Sequence, residues 1–275
     1  MYKDLKHIET PFYYYDTALL RVTLDVIAQE VAQYPNYHVH YAMKANANPR
    51  LLEIIQQAGL GADCVSGGEV QRAIDAGFPA DKIVYAGVGK SDREILTALQ
   101  HDIFCFNVES IPELEVINEL AAREGKIARV CLRINPDVEA HTHTHIITGM
   151  AENKFGIALH DMLHVVQLAQ QLPNISFIGL HFHIGSQITN MHDFVALCER
   201  INEIQHLLHS HDIYPSVINV GGGLGIDYHS PSEHPIADFK AYFRVFTQHL
   251  HLRPEQSLHF ELGRSVVAQC GSLIT

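Results

Sequence analysis

Lys44 is the side chain with the clearest capacity for covalent chemistry, because it ends the apolar run of HYAMKANANP at residues 40–49. In an extended strand it shares one face with His40 and Ala42. Removing an ammonium group from water is costly, so a lysine at the end of a buried strand needs a partner or a reaction. The partner could be a carboxylate such as Asp63, and the reaction would be a Schiff base with a carbonyl compound.

The triple glycine of NVGGGLG, Gly221 to Gly223, indicates either a tight turn or a loop that approaches a phosphate group. Gly221 and Gly223 match the first two positions of the dinucleotide fingerprint G-x-G-x-x-G, but Ile226 occupies the last, so that motif is absent. Ser186, in HIGSQ, and the guanidinium of Arg264 would add a hydroxyl and a planar fork, which suit a phosphate or a carboxylate.

Glu261 and His183 each have a structural and a chemical interpretation. Glu261 could form a salt bridge with Arg264, or it could face a pyridine nitrogen, keep that nitrogen protonated and make the ring an electron sink. His183 could be a histidine of the core or a flat ring that stacks on a cofactor. In the chemical interpretation, the carbonyl that Lys44 attacks belongs to a substrate or to pyridoxal phosphate.

Short β-branched or aromatic runs alternate with helical patterns from residue 38 onward, which is typical of repeated βα units. Eight such units close into a TIM barrel of about 250 residues, with an open doubly wound sheet as the alternative. Because a TIM barrel gathers its active site at the carboxyl ends of the strands, we expect the polar residues there to meet. The predicted strands lie at 39–44, 61–65, 82–87, 103–107, 128–134, 175–185, 216–222 and 257–263.

Helix starts support the alternation, since three S-x-x-E capping boxes each follow a predicted strand. These boxes pair Ser66 with Glu69, Ser91 with Glu94, and Ser110 with Glu113. We predict three regions: a strand and a helix in 1–35, the barrel in 36–264, and the first strand of a second β-rich domain in 265–275. An apolar strand without a pairing partner is an edge liability, so we expect the chain to stop inside that domain.

The composition narrows the class of protein. Of the 275 residues, 19 are Lys or Arg and 31 are Asp or Glu, so the formal net charge of −12 gives no basic surface for nucleic acid. Five widely spaced cysteines without a C-x-x-C pair indicate reduced thiols and no structural zinc site. Neither an amino-terminal signal segment nor an apolar run of membrane-spanning length is visible, so we expect a cytoplasmic protein.

The alternating histidines of HTHTH, at 141–145, could line one face of a strand and bind a metal ion. No H-E-x-x-H motif or cysteine accompanies them. We expect instead a loop over the barrel mouth that touches the substrate, because long insertions at that end tend to be functional.

Seven segments taken together resemble the fold-type III pyridoxal phosphate-dependent decarboxylases, which have an alanine-racemase-like barrel. The resemblance covers essentially the whole chain and points to the branch that converts meso-2,6-diaminopimelate to L-lysine and CO2. In chain order the segments are HYAMKANANP, GADCVSGGE, RINPDV, NKFGI, HFHIGSQ, NVGGGLGIDY and ELGR.

The resemblance implies a role for each candidate residue. Lys44 would carry pyridoxal 5'-phosphate as a Schiff base, His183 would stack on the ring, and Glu261 would face the ring nitrogen. Arg264 would also lie near the carboxylate of an amino-acid substrate, and Leu262 replaces the proline of the usual E-P-G-R. The phosphate would be surrounded by Ser186, Arg264 and the turn of Gly221, Gly222 and Gly223. Leu262 and Gly263 of ELGR would also bind the cofactor, and the site would be fixed from its periphery by Asp63 and Arg133.

Members of this family continue into a β-rich domain that completes the site across a head-to-tail homodimer. The resemblance thus implies a cofactor-binding barrel whose active site needs residues beyond these 275. Ornithine, arginine or carboxynorspermidine decarboxylases are alternatives within the family, and a racemase is disfavoured because it would place an arginine against the ring nitrogen. A non-enzymatic carrier of the cofactor is an alternative of another class, and a scaffold barrel would leave Lys44, Glu261 and Arg264 unexplained.

Overall fold

The computed structural model describes residues 7–138 and 155–275. Within those residues, eight parallel strands, β2 to β9, form a closed barrel in chain order, and β9 closes the ring by pairing with β2. The predicted TIM barrel is confirmed, and the open sheet is wrong. The strands are β1 Phe12–Tyr15, β2 Tyr37–Ala42, β3 Gly61–Cys64, β4 Ile83–Tyr85, β5 Cys105–Val108, β6 Ala128–Arg133, β7 Ile175–His181, β8 Val217–Asn219, β9 Ser257–Leu262 and β10 Gly271–Ile274.

Helices surround the barrel and cover the apolar outer faces of its strands. No helix in the described part of the chain is long and apolar enough to cross a membrane. The helices are α1 Thr17–Val31, α2 Pro49–Gln57, α3 Gly67–Asp75, α4 Asp92–Gln100, α5 Ile111–Arg123, α6 Met162–Gln171, α7 Met191–His209, α8 Phe239–His249 and the single turn α9 Arg264–Val267.

The three serines predicted to cap helices all do so, although only one forms the complete box. At α4, the Ser91 side chain accepts from the backbone of Glu94, and the Glu94 carboxylate accepts from the backbone of Ser91. The glutamates of the other two boxes are used differently, because each accepts from the residue before the cap: Glu69 from the N–H of Val65 and Glu113 from that of Glu109. These contacts anchor the carboxyl ends of β3 and β5 to the helices that follow.

Alternation along β9 decides which side chains enter the barrel. Phe260 faces outward, where its ring lies 5.0 Å from that of Phe243 and 5.2 Å from that of Phe246 on α8. Because successive side chains of a strand point to opposite faces, His259 and Glu261 are directed into the barrel. Strand β9 thus packs Phe260 against the outer helix α8 and places two polar side chains, His259 and Glu261, inside the ring.

The two ends of the described chain form a ribbon outside the barrel. β1 pairs in antiparallel fashion with β10, with Tyr13 opposite Leu273. The expectation that the last strand has no partner is therefore wrong, and that strand is also shorter than expected because α9 and a further helical turn, Ala268–Cys270, occupy its predicted first half. The division into three regions stays a prediction.

Candidate active site

A cavity with two lobes lies at the carboxyl ends of the barrel strands. The main lobe has a volume of about 400 Å³ and the small lobe about 240 Å³, which together fall in the range of small-molecule sites. The two lobes lie side by side because both are lined by Lys44, Asp63, His183 and Glu261. Ser186, Gly223, Gly263 and Arg264 line the main lobe, whereas Glu109, Arg133 and His181 line the small one.

Lys44 lies at the junction of the lobes but not on a strand. Strand β2 ends at Ala42, and Met43–Ala45 form a helical turn in which Lys44 is exposed. The expectation of a buried strand-end lysine is wrong in this respect, because the chain turns before Lys44 and raises it to the cavity surface. Among the described residues Lys44 forms no ion pair with Asp63, whose Oδ1 is buried without a hydrogen-bond partner.

Asp63, on β3, is fully enclosed at the floor of the cavity. Burial raises its pKa well above the ordinary value, the Glu261 carboxylate raises it further, and the ammonium of Lys44 offsets part of the rise. The burial of Asp63 thus favours its neutral carboxyl form, which can donate a hydrogen bond.

Glu261 lies inside the barrel and accepts hydrogen bonds from three side chains. Its Oε1 accepts from Asn107 at 2.8 Å and from Asn219 at 2.7 Å, and its Oε2 lies 3.0 Å from Nε2 of His181. Burial alone would raise the pKa of Glu261, but the nearby imidazoles of His181 and His183 and the hydrogen bonds hold it well below the ordinary value. Glu261 is thus a buried carboxylate that stays charged, and no salt bridge to Arg264 forms.

Arg264 begins α9 and spans the rim of the main lobe. One of its terminal nitrogens, Nη2, lies 3.3 Å from Oγ of Ser186, and the other donates to the hydroxyl of Tyr228. Its Nε is buried without a hydrogen-bond partner. This guanidinium therefore keeps a donor for an anion, and the sequence analysis missed Tyr228 because a tyrosine in an irregular loop gives no periodic signal.

The triple glycine turn brings three strand ends into close contact. Gly221 and Gly223 have φ values of +68° and +102°, which favour glycine. A Cβ atom on Gly222 would lie only 1.9 Å from the carbonyl oxygen of Glu261, so a side chain cannot fit there. The backbone N–H of Gly222 donates to Nδ1 of His183 at 3.3 Å, which orients that ring beside both lobes.

Arg133 and Glu109 form an ion pair in the small lobe, with 2.9 Å between Nη1 and Oε1. The ring of Phe155 lies 5.6 Å from the guanidinium carbon of Arg133. Oε2 of Glu109 is buried without a hydrogen-bond partner. Sequence reasoning missed Glu109, whose only signal was its place two residues after a predicted strand.

Some predicted site residues lie apart from the cavity surface. Leu262 faces the outer core, and in the described part of the chain neither it nor Gly221 and Gly222 line a lobe. The histidines at 141–145 lie outside the described residues. Within the described ranges no cluster of side chains could hold a metal ion.

The main lobe fits pyridoxal phosphate by its donor set. The unpartnered Nε of Arg264 and the hydroxyl of Ser186 suit a phosphate dianion, Lys44 offers an amine, and Glu261 offers a negative charge. Each of these groups lines the same lobe, so one small molecule can reach them all.

A family model described as "pyridoxal-dependent decarboxylase, pyridoxal binding domain" matches residues 24–268. The chain is similar to the curated diaminopimelate decarboxylase of Bacteroides thetaiotaomicron, with 64% identity over 98% of this chain and 69% of that protein. It is 42% identical to the diaminopimelate decarboxylase of Neisseria meningitidis serogroup B over 97% of this chain and 63% of that protein. The chain thus spans about two thirds of the length of these curated relatives.

Solved structures agree with this likeness. The crystal structure of diaminopimelate decarboxylase from Helicobacter pylori in complex with L-lysine has a TM-score of 0.89 and 35% identity, over 99% of this chain and 68% of that one. The arginine decarboxylase of Paramecium bursaria Chlorella virus has a TM-score of 0.79 but only 22% identity, over 98% of this chain and 68% of that one, so it shares the fold alone.

Proposed function

This chain belongs to the family of pyridoxal-dependent decarboxylases, and we propose that it forms the cofactor-binding barrel of an enzyme that converts meso-2,6-diaminopimelate to L-lysine and CO2. One observation carries the proposal: Lys44, Glu261 and Arg264 line a single lobe, with an amine, a carboxylate and a guanidinium directed at the same space. The resemblance of the curated relatives supports the choice of substrate.

Pyridoxal phosphate supplies an electron sink that stabilises the charge left when a carboxylate departs as CO2. Lys44 would bind the cofactor covalently through its amine. The helical turn that exposes Lys44 would also leave that amine accessible to the amino group of a substrate.

Glu261 would hold a proton on the ring nitrogen. A carboxylate inside the barrel is costly unless hydrogen-bonded, and here three donors hold it in its charged form. The ring of His183, oriented by the N–H of Gly222, would pack against the cofactor.

Arg264 and Ser186 would bind the phosphate group. Their mutual contact places a guanidinium and a hydroxyl side by side, and Gly223 adds a stretch of backbone without a side chain. Arg264 would also lie near the substrate carboxylate, while Asp63 and the ion pair of Arg133 with Glu109 would keep the floor and the small lobe in shape.

Decarboxylation of ornithine or arginine is the alternative activity, because decarboxylases of those substrates have the same barrel fold. A cytoplasmic location and a homodimer are part of the same proposal and rest on the composition and the family resemblance. A carrier that only binds the cofactor would explain Lys44 and Arg264 but gives no role to the charged Glu261.

The test is a decarboxylation assay on the protein at its full natural length. CO2 release and product identity are followed with meso-diaminopimelate, L-ornithine and L-arginine as separate substrates. The proposal predicts L-lysine and CO2 from the first compound and no release from the other two. CO2 release from ornithine or arginine alone would show that the protein is a different amino-acid decarboxylase. Binding of the cofactor without any turnover would favour the carrier.

A further inference from the structure

Three strands of the barrel each send one hydrogen-bond donor to Glu261. Asn107 comes from β5, His181 from β7 and Asn219 from β8, and all three side chains are buried inside the ring. None of them was selected by the sequence analysis, because an asparagine in a short apolar strand carries no motif.

The two amides bind the same carboxylate oxygen. A carboxylate oxygen has about two lone pairs, so Oε1 of Glu261 is filled by the Nδ2 groups of Asn107 and Asn219. Oε2 has one donor, Nε2 of His181, and is the oxygen with capacity for a further hydrogen bond. The arrangement therefore distinguishes two oxygens that are chemically equal in a free carboxylate.

Asn219 cannot reverse its amide without losing a second contact. Its Oδ1 accepts from the backbone N–H of Gly221 at 2.9 Å, which forces its Nδ2 toward Glu261. The same side chain thus joins the glycine turn to the carboxylate. A change at the turn and a change at Glu261 are coupled through this one amide.

Amide donors suit Oε1 of Glu261 better than a cation would. The nearby guanidiniums are engaged elsewhere, Arg133 with Glu109 and Arg264 with Ser186 and Tyr228. An arginine on Glu261 would neutralise the charge that a ring nitrogen needs, whereas two amides stabilise the carboxylate and leave its negative charge available.

We propose that Asn107 and Asn219 are positioning residues that fix the carboxylate of Glu261 in one orientation, with Oε1 occupied and Oε2 left for the nitrogen of the bound ring. The proposal deepens the proposed function, on which its relevance to catalysis rests. Neither asparagine lines a lobe of the cavity, so both act through Glu261.

The first test is a titration of the protein without cofactor. Asn219→Asp keeps the size of the side chain and its bond from Gly221, but replaces the donor to Glu261 with a second carboxylate. Asn107→Leu removes the other donor without adding charge. The ¹³C carboxyl signal of Glu261, identified by its loss in Glu261→Gln, is followed against pH.

We expect no change of the signal between about pH 5 and 8 in the unmodified protein, because the carboxylate stays charged there. In Asn219→Asp the two facing carboxylates should take up one shared proton within this range, since like charges this close cannot both remain ionised. Asn107→Leu should raise the pKa of Glu261 by about one unit or more, so that, when the titration is extended below pH 5, the signal begins to shift at a higher pH than in the unmodified protein. A signal that stays unchanged in both variants would overturn the proposal.

Asn202→Asp provides the matched control. Asn202 also uses both ends of its amide, with its Nδ2 donating to the carbonyl of His249 and its Oδ1 accepting from the N–H of His251, but it lies on the outer helix α7. The Glu261 signal should be unaffected by this substitution.

The second test separates orientation from general damage. In the full-length enzyme, Asn219→Asp and Asn107→Leu should lower kcat about tenfold to a hundredfold, which corresponds to a charge-assisted hydrogen bond, with little change in KM. Equal loss in Asn202→Asp would contradict a positioning role. If the titration changes as expected but the unmodified enzyme decarboxylates nothing, the proposed function fails while the positioning of Glu261 stands.

Discussion

Nε2 of His181 lies 3.0 Å from Oε2 of Glu261, and both side chains are buried inside the barrel. A charged carboxylate only accepts hydrogen bonds, so His181 donates through Nε2. The other ring nitrogen, Nδ1, is buried without a hydrogen-bond partner. His181 and Glu261 therefore form a polar pair that is only partly satisfied by the protein and that borders the small lobe.

Replacing His181 with leucine should destabilise the fold by about 1–3 kcal/mol, because Glu261 then loses a donor while its charge stays buried. Glu261→Gln provides the second arm of a double-mutant cycle, measured by urea unfolding. The double variant should lose less stability than the sum of the single variants. Purely additive losses would show that the pair is not coupled.

Three histidines at the opposite end of the barrel should make the protein sensitive to acid. Nδ1 of His40 lies 3.1 Å from the carbonyl of Lys82, so it donates, and its Nε2 accepts from Nδ1 of His259 at 2.8 Å. Burial lowers the pKa of His40 to about 4, and burial also lowers the pKa values of His38 and His259. His40 therefore stays neutral in the folded protein down to about pH 4.

The unfolded chain protonates these histidines near pH 6.5, whereas folded His40 resists protonation down to about pH 4. The stability that it contributes is therefore complete above about pH 6.5 and is lost as the pH falls toward 4, a loss of about 3 kcal/mol. His40→Gln, measured by urea unfolding at several pH values, should flatten this decline, and His192→Gln on the surface of α7 should not. If the free energy of unfolding of His40→Gln falls with pH as steeply as that of the unmodified protein, His40 is not the source of the acid sensitivity.

Gly222→Ala should impair the cavity by displacing the end of β9. Its Cβ would collide with the carbonyl oxygen of Glu261, and overpacking of this kind costs about 1–3 kcal/mol. Gly89→Ala is the matched control, because no atom lies within 4 Å of a Cβ at that position. Gly222→Ala should have a lower Tm and bind the cofactor more weakly than Gly89→Ala. Equal Tm and equal cofactor binding in the two variants would show that the turn tolerates a side chain.

Arg264→Lys should weaken cofactor binding even though the charge is kept. The guanidinium uses its planar fork to reach Ser186 and Tyr228 together, which an ammonium cannot reproduce. We expect Kd for pyridoxal phosphate to rise about tenfold, equivalent to one charge-assisted hydrogen bond. Arg200→Lys, in a surface ion pair with Glu203, is the control, and an unchanged Kd in Arg264→Lys would remove Arg264 from the phosphate site.

Much of the fold was accessible to sequence reasoning, because the period-two strands and the serine caps are local signals. The eight barrel strands were each placed within a few residues, and Ser66, Ser91 and Ser110 begin helices as expected. The turn at Met43–Ala45 was not foreseen, since an apolar run cannot reveal where a strand bends. The pairing of β1 with β10 joins residues too distant in the chain for a local pattern to predict.

The candidate site was only partly accessible. Lys44, Glu261 and Arg264 could be selected because charged residues at strand ends are unusual. Asn107, Asn219 and Glu109 could not, since their importance comes from contacts across the barrel with residues far along the chain. Tyr228 was missed for the same reason, as its contact with Arg264 depends on the path of a loop.

The most direct test of the account is whether Lys44 bonds to pyridoxal phosphate. The protein is mixed with the cofactor, reduced with borohydride and digested, and the modified peptide is identified by mass, with Lys44→Ala and the distant Lys82→Ala treated in parallel. The account predicts one modified peptide containing residue 44, present in Lys82→Ala and absent in Lys44→Ala. Equal labelling of all three proteins, or labelling at another lysine, would contradict it.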